Sequence, residues 1–319
     1  MKLVDIIVPC YNEEDVLRMF YDETSKVLNE IQNYEFRYIF VDDGSKDKTY
    51  EILCELGNEH SEVKYISFSK NFGKEAAMYA GLTYSEGDYV VIMDADLQHP
   101  PIMIPDMIKG IEEGYDCCAA RRTSRKGEAK IRSAFSRAFY KLNNKMTDVD
   151  LVQGAVDFRI MSRQMVEAVL SLSEKQRFSK GIFAWVGFKT KWLPYENVER
   201  PVGTSKWSFW GLFKYAVDGI TAFSVAPLRL VTATGFFISF IAFFYILITI
   251  IKTLITGIDV PGYVTTLSAV LFLGGIIEIS IGILGEYIAH VYMEVKGRPI
   301  FIMKNTNISL IEKDKDKVE

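Results

Sequence analysis

The 319-residue chain carries 37 Lys and Arg against 41 Asp and Glu, a net charge of −4, with 24% of its residues charged. That balance leaves no electrostatic footprint for nucleic acid, and the opening run Met1 to Pro9 is too short, and lacks the small-residue cleavage site, to be a secretory signal. Apolar residues are spread unevenly: the first two thirds alternate as in a soluble domain, and two long apolar stretches fill the last third.

Short runs rich in Val, Ile, Tyr and Phe predict buried strands at Asp5–Val8, Phe36–Val41, Val63–Ser67, Tyr89–Met93 and Asp116–Ala120. Between them, apolar residues recur at helical spacing: Val16, Leu17, Phe20, Val27, Leu28 and Ile31, then Ile52, Leu53 and Leu56, then Ala76 to Leu82, then Ile104 to Ile111. A βαβαβαβαβ order predicts an α/β fold with a mostly parallel sheet, helices on both faces, and ligands beyond the carboxyl ends of the strands. No Gly-X-Gly-X-X-Gly follows the first strand, so a dinucleotide site is not indicated. The four cysteines, Cys10, Cys54, Cys117 and Cys118, lack metal-ligand spacing and read as small buried residues of a reducing compartment.

From Arg121 to Asn144 the chain turns basic, and Lys206 to Arg229 mixes Trp, Phe, Tyr and Leu with scattered charge, as helices at a membrane surface do. Leu230–Ile251 has no charged residue and is long enough to cross a hydrocarbon core of about 30 Å. Val264–Ile288 is similarly apolar but contains Glu278 and Glu286, which predicts a second span ending near Leu284 and places Glu278 against a protein interior, away from lipid. The connector Lys252–Gly262 carries one Lys and one Asp, whereas Lys296, Arg298 and Lys304 follow the second span, so the positive-inside tendency puts both termini and the soluble domain in the cytosol. The resulting division is a catalytic-type domain over 1–195, a loop with interfacial helices over 196–229, two membrane helices within 230–288 (about 230–251 and 264–284), and a cytosolic tail over 289–319.

Three polar clusters fall just past predicted strand ends: Pro9-Cys10-Tyr11-Asn12-Glu13, Val41-Asp42-Asp43-Gly44-Ser45 and Asp94-Ala95-Asp96-Leu97-Gln98. A lone Asp-X-Asp is as well explained by a turn or a helix cap, but three acidic loops along one sheet edge point to a shared site. Carboxylates from such loops, with substrate phosphates, are the usual holders of Mg²⁺ or Mn²⁺. Asp96 and Asp94 suit that role.

These clusters, together with Leu-Gly-Glu-Tyr-Ile at Leu284–Ile288 and Lys296-Gly297-Arg298-Pro299, resemble family-2 glycosyltransferases of the GT-A (Rossmann-like) fold. Within that family the likeness is to the polyprenyl-phosphate group, which includes the GtrB-type glucosyltransferases and dolichyl-phosphate mannose synthase, and it runs along nearly the whole chain. The resemblance implies that Pro9, Tyr11 and Glu13 form part of the base and ribose pocket, with Asp42 at the base edge. It implies that Asp94 and Asp96 hold the metal and diphosphate with Gln98 close by. It assigns Arg122, Arg132 and Ser136 to the acceptor phosphate and donor diphosphate, and Arg200, Ser205 and Lys206 to a late phosphate-binding loop. Asp157 corresponds to a carboxylate that acts as base or orients the acceptor; a buried salt bridge with Arg159 or a neighbour is the plainer reading of the same residue. The aromatic and basic segment Arg177 to Phe188 is either core or lipid-facing, and the resemblance favours the second.

The implied activity is inverting transfer of a hexose from UDP-glucose, or UDP-N-acetylglucosamine as second choice, to undecaprenyl or another polyprenyl phosphate at the cytosolic membrane face. Tetramers occur in the group. Two rivals share the nucleotide pocket. A processive polysaccharide synthase would need a conduit and a Gln-X-X-Arg-Trp motif where Gln176-Arg177-Phe178 stands. A non-catalytic, membrane-anchored nucleotide-sugar-binding protein would not need the Asp94/Asp96 pair and the arginines.

Overall fold

The computed structural model describes residues 1–123, 149–172, 174–175, 177–196, 221, 224–256 and 262–309. The first half follows the predicted alternation: β1 (Lys2–Cys10), α1 (Leu17–Leu28), β2 (Tyr34–Asp42), α2 (Thr49–Glu59), β3 (Val63–Phe68), α3 (Lys74–Thr83), β4 (Tyr89–Ile92), a short 3-10 turn and α4 (Ile104–Glu112), then β5 (Cys117–Arg122). After the next described residues come β6 (Ala155–Ser162), α5 (Arg163–Ser171), α6 (Ser179–Trp185) and β7 (Thr190–Tyr195). Two long helices, α7 (Ala226–Thr256) and α8 (Tyr263–Val295), precede a last short strand, β8 (Met303–Thr306).

The eight strands form one sheet in the order β7-β5-β6-β4-β1-β2-β3-β8. Its centre is parallel, β4 and β2 flanking β1 and β3 following β2, and β5 also runs parallel to β7. β6 is antiparallel to both β4 and β5, and β8 is antiparallel to β3. The sheet is therefore more mixed than the strand-helix alternation implied. Because Ile92 of β4 faces Arg159 of β6, the beginning of β6 lies beside the carboxyl ends of the central parallel strands.

Alternation along each strand divides the core between two faces. Val4, Ile6 and Val8 pack with Leu17 and Phe20 of α1, Leu53 and Leu56 of α2, and Met107 and Ile111 of α4. Ile7 packs on the opposite side with Met78 and Leu82 of α3 and with residues of α5 and α6. Cys118 and Cys117 fall on these two faces respectively, which is why neighbours in sequence do not bridge. α3 sits close to β1: a Cβ added at Gly81 would lie 2.3 Å from Ile7 Cγ2.

α7 and α8 extend beyond the expected spans at both ends, and each contains a stretch long and apolar enough to cross a membrane, Ala226–Tyr245 and Phe272–Val295. Glu278, expected to face a protein interior, is exposed on the single chain, since α7 and α8 by themselves do not enclose it. The segment from Arg177 also corrects an expectation. Phe178, Ile182 and Phe183 are buried, and the Arg177 guanidinium donates to the carbonyls of Leu172 and Val169 while lying 4.5 Å from the centre of the Tyr79 ring. It is core, with only Trp185 among its large apolar side chains strongly exposed. Most of the predicted basic segment and of the interfacial helices lies outside the described residues.

Candidate active site

The polar clusters meet at one edge of the sheet because the strands before them are parallel and in register. Cys10 of β1 is level with Asp42 of β2, and β4 ends at Ile92, two residues before Asp94. Pro9, Tyr11 and Glu13 are partly buried at the end of β1. Their loop is fastened to the next one: Asn12 N–H donates to Ser45 Oγ at 2.9 Å, Asn12 Oδ1 accepts from Lys46 N–H at 2.8 Å, and Glu13 N–H donates to Thr49 Oγ1 at 2.8 Å. Asn12 takes the left-handed conformation (φ 54°) that such a turn requires and that Asn tolerates.

Asp42 is buried and its carboxylate already serves the fold, accepting from Ser45 N–H at 2.9 Å and from Ser67 Oγ at 2.7 Å. Asp43 shapes the approach to α3 by accepting from Phe72 N–H at 2.6 Å and Gly73 N–H at 2.9 Å. Burial pushes the Asp43 carboxyl up to about 6 in spite of those two donors. Gly73, at φ 98°, supplies the left-handed backbone from which α3 starts.

The acidic loop after β4 is folded on itself. Asp96 Oδ1 accepts from Gln98 N–H at 3.1 Å across Leu97, whose φ of 56° is unusual for a bulky residue. His99 lies buried beneath, stacked on Phe158 with ring centres 5.3 Å apart, its Nδ1 3.5 Å from Asp94 N–H. Burial pushes the imidazole pKa down, against the pull of Asp94, so His99 serves as a neutral prop for the loop.

At the centre of the site is a residue that the sequence reading did not select. Lys74, the first residue of α3, places Nζ 2.6 Å from Asp94 Oδ1 and 2.7 Å from Asp157 Oδ2. Asp157 thus enters an ion pair, but with Lys74; the Arg159 guanidinium turns away to the carbonyls of Val156 and Asp157 and packs 3.9 Å from the centre of the Phe183 ring. Burial alone would raise the Asp157 carboxyl, but the charges of Lys74, Lys180 and Arg159 hold it well below the usual carboxylate range. Beside it, Glu75 is tied to α6, accepting from the Ser179 N–H at 3.0 Å and from the Ser179 hydroxyl.

Arg122 ends β5, its N–H donating to Gly154 O at 2.9 Å, and its side chain lies next to the phenol of Tyr195. The Tyr195 ring stands edge-on to His99, 6.2 Å between centres, which joins Arg122 to the acidic loop. The described candidates Pro9, Tyr11, Glu13, Asp42, Asp94, Asp96, Gln98, Arg122 and Asp157 thus lie along one sheet edge. Arg132, Ser136, Arg200, Ser205 and Lys206 lie outside the described residues. Among the described residues, no group of three or more His, Cys, Asp or Glu forms a cage that could hold a metal by itself. Asp94 and Asp96 nevertheless fit a hard divalent cation whose remaining positions are filled by phosphate oxygens and water, the way Mg²⁺ is commonly held. An edge with acidic groups on one loop and cations facing them is suited to binding a diphosphate and bringing a second anion to it.

The sequence profile of glycosyl transferase family 2 matches residues 5–170, and that of the GtrB C-terminal hairpin matches residues 226–291. The chain is 50% identical to CsbB of Bacillus subtilis over 96% of this chain and 92% of that one. It is 41% identical to the SfII prophage-derived bactoprenol glucosyl transferase of Shigella flexneri, over 95% of this chain and 98% of the relative. Among solved structures, mannosyl-3-phosphoglycerate synthase from Rubrobacter xylanophilus is similar with a TM-score of 0.48 at 17% identity, covering 73% of this chain and 75% of that one. With the family profile matching residues 5–170 and relatives of 41–50% identity matched over nearly their whole length, the chain belongs to glycosyl transferase family 2.

Proposed function

We propose that this glycosyltransferase moves one hexose, glucose in the first instance, from a UDP-sugar to a polyprenyl phosphate at the cytosolic face of a membrane. The observation that carries the reading is the joining, in one chain, of the Asp94–Asp96 loop and Asp157 at a single sheet edge to two apolar helices. A water-soluble donor and a lipid acceptor need such a boundary site. The 41% identity to a bactoprenol glucosyl transferase supports this choice of acceptor and sugar.

In this reading Pro9, Tyr11, Glu13 and Asp42 contact the nucleoside, Asp94, Asp96 and Gln98 hold Mg²⁺ or Mn²⁺ with the donor diphosphate, and Arg122, Arg132, Ser136, Arg200, Ser205 and Lys206 offset the phosphate charges. The cation, when bound, would stabilise the negative charge that builds on the departing UDP. The nucleophile is an oxygen of the acceptor phosphate. A phosphate monoester has its second pKa near 6 (about that value in general), so the dianion is abundant at neutral pH and needs no strong base. Its oxygen forms the new bond to the anomeric carbon as the bond to UDP breaks on the opposite side, which gives a β-linked lipid product from an α-linked donor. Asp157, kept ionised beside Lys74, orients that acceptor.

Incubating the purified full-length protein with undecaprenyl phosphate, Mg²⁺ or Mn²⁺ and a panel of labelled nucleotide sugars tests the reading. A labelled glucosyl lipid formed from UDP-glucose is expected. A labelled N-acetylglucosaminyl lipid would replace the sugar assignment. Long polymer, or no transfer to lipid from any donor, would overturn the proposal.

A further inference from the structure

A lysine at the first position of a helix is badly placed for the helix itself, because the macrodipole there favours negative charge. Lys74 holds that position in α3, and nothing in its own turn except Glu75 compensates it. Its charge is balanced across space, by Asp94 from the loop after β4 and by Asp157 from β6, at 2.6 and 2.7 Å. The ammonium therefore sits where two acidic elements converge, touching one carboxylate assigned to the metal and one assigned to the acceptor.

Two features say that this bridge is built to be broken on one side. The backbone that delivers Lys74 is rigid: Asp43 takes the N–H groups of Phe72 and Gly73, and α3 is pressed against β1 at Gly81. The side chain itself is a flexible four-carbon stem, and 36% of its surface is exposed, so the ammonium can swing while its Cα stays fixed. Asp94 is more exposed than Asp157, 27% against 15%, so its ion pair with Lys74 is the more screened of the two. Asp94 is the side from which Lys74 departs, and Asp157 is the side on which it stays.

We propose that Lys74 is a resident counter-cation of the metal site, which neutralises Asp94 while no nucleotide is bound, competes with the divalent ion for that carboxylate, and yields it only when a diphosphate supplies further oxygen ligands. This inference rests on the assignment of the metal to Asp94 and Asp96 but not on the identity of the sugar or acceptor. It makes metal uptake conditional on the nucleotide. It also gives Lys74 a positioning role, since the ammonium released by Asp94 remains as the partner of Asp157 and keeps that carboxylate pointed into the site.

Mn²⁺ binding to the full-length protein, read from loss of the free-ion electron paramagnetic resonance signal with and without UDP, tests this without any turnover. The wild-type protein should bind Mn²⁺ weakly alone and at least tenfold more tightly with UDP. Lys74→Gln should bind Mn²⁺ alone at least tenfold more tightly than wild type, a change of about 1.4 kcal/mol or more, and gain correspondingly less from UDP. Asp157→Asn, which leaves Lys74 with Asp94 as its sole charged partner of the two, should weaken nucleotide-free Mn²⁺ binding, and it reports independently if Lys74→Gln does not fold. An ion pair that only fastens α3 to the sheet would lower the melting temperature of Lys74→Gln and leave its Mn²⁺ titration unmoved; that result, or unchanged or tighter Mn²⁺ binding in Asp157→Asn, overturns the inference while leaving the metal site intact. Failure of the wild-type protein to take up Mn²⁺ even with UDP overturns the metal assignment, and this inference with it.

Discussion

Replacing Asp157 by Asn separates an orienting carboxylate from a proton-accepting one. The substitution keeps shape and one oxygen acceptor but removes the charge that faces Lys74 at 2.7 Å. A hydrogen bond to a charged group contributes about 1.5–3 kcal/mol, and here the loss is moderated because the amide still accepts, because Lys74 retains Asp94, and because the lysine is partly solvated. We expect a destabilisation of about 1–2 kcal/mol, a fall of roughly 3–6 °C in Tm for a soluble domain of this size. Misplacement of the acceptor should cost about tenfold to a hundredfold in rate.

The pH dependence carries the discrimination. Because the folded carboxyl is held below its unfolded value of about 3.9, Asp157 contributes stability that is present above that pH and lost as pH falls through the lower folded value. Between pH 5 and 8, roughly the working range of such assays, it stays ionised and cannot generate a titration in the rate. An acidic limb near pH 6, about the second pKa of a phosphate monoester, is the one expected from the acceptor. Initial rates of lipid glycosylation across that range should therefore show Asp157→Asn with a lowered plateau and the limb in the same place. A mutant profile that is flat across the region, where the wild type falls, would identify Asp157 as the titrating base and refute the orienting role.

Asp96→Asn should lower turnover on the order of a hundredfold or more while leaving the melting curve close to wild type, because the amide can still accept from Gln98 N–H; a near wild-type rate would remove Asp96 from the metal assignment. Substituting Arg200 or Lys206 by Gln should reduce turnover more than stability, and unchanged kinetics in both would return that loop to a solvated connector. Asn307→Ala removes two bonds to β3, with Tyr65 N–H at 2.8 Å and Val63 O at 3.0 Å, and should cost about 1–3 kcal/mol in a denaturation experiment. A tag fused after Glu319 and a label on the N-terminal domain should both react from the cytosolic side only; a C-terminal tag reacting from outside, with the domain inside, would rule out two crossings.

The parts of the fold that sequence made visible are those where chemistry is local. The amphipathic helices α1, α2 and α4 and the central strands announce themselves through spacing, α3 through its apolar run from Ala76 to Leu82, and the acidic loops through their position after strands. What stayed hidden depends on pairing across distance. β8 is four residues, Met-Lys-Asn-Thr, with no buried alternation, and becomes a strand only because β3 offers it an open edge. The direction of β6 is likewise invisible, since its buried pattern is the same whether it runs with β4 or against it. Lys74 stands in Phe72-Gly73-Lys74-Glu75, where a solvated helix end is the natural reading; its partners are 20 and 83 residues away along the chain. The one local hint was a cation at the positive end of a helix. Arg177 misled in the opposite way, as a charge beside aromatic residues that suggested an interface, when its guanidinium turns inward to the carbonyls of Leu172 and Val169.

The last strand also ties the long apolar helix α8 to the sheet. At about 1.5 Å per residue, the 33 residues of α8 span about 50 Å, well beyond a hydrocarbon core of about 30 Å. The surplus of about 20 Å, nearly four turns, brings Glu294 to the Lys175 N–H at 2.6 Å and lets the chain reach β3 within a few residues of the helix end. There Phe301 stacks on Phe68, 4.9 Å between ring centres, and Asn305 pairs with Ser67, the same serine whose hydroxyl holds Asp42. β8 is thus joined to Asp42 at the sheet edge through one strand pairing and one side-chain hydrogen bond. On the proposed reading, in which donor and acceptor come from different phases, that continuity would tie the height of the domain over the lipid to the strand that ends the sheet beside Asp42.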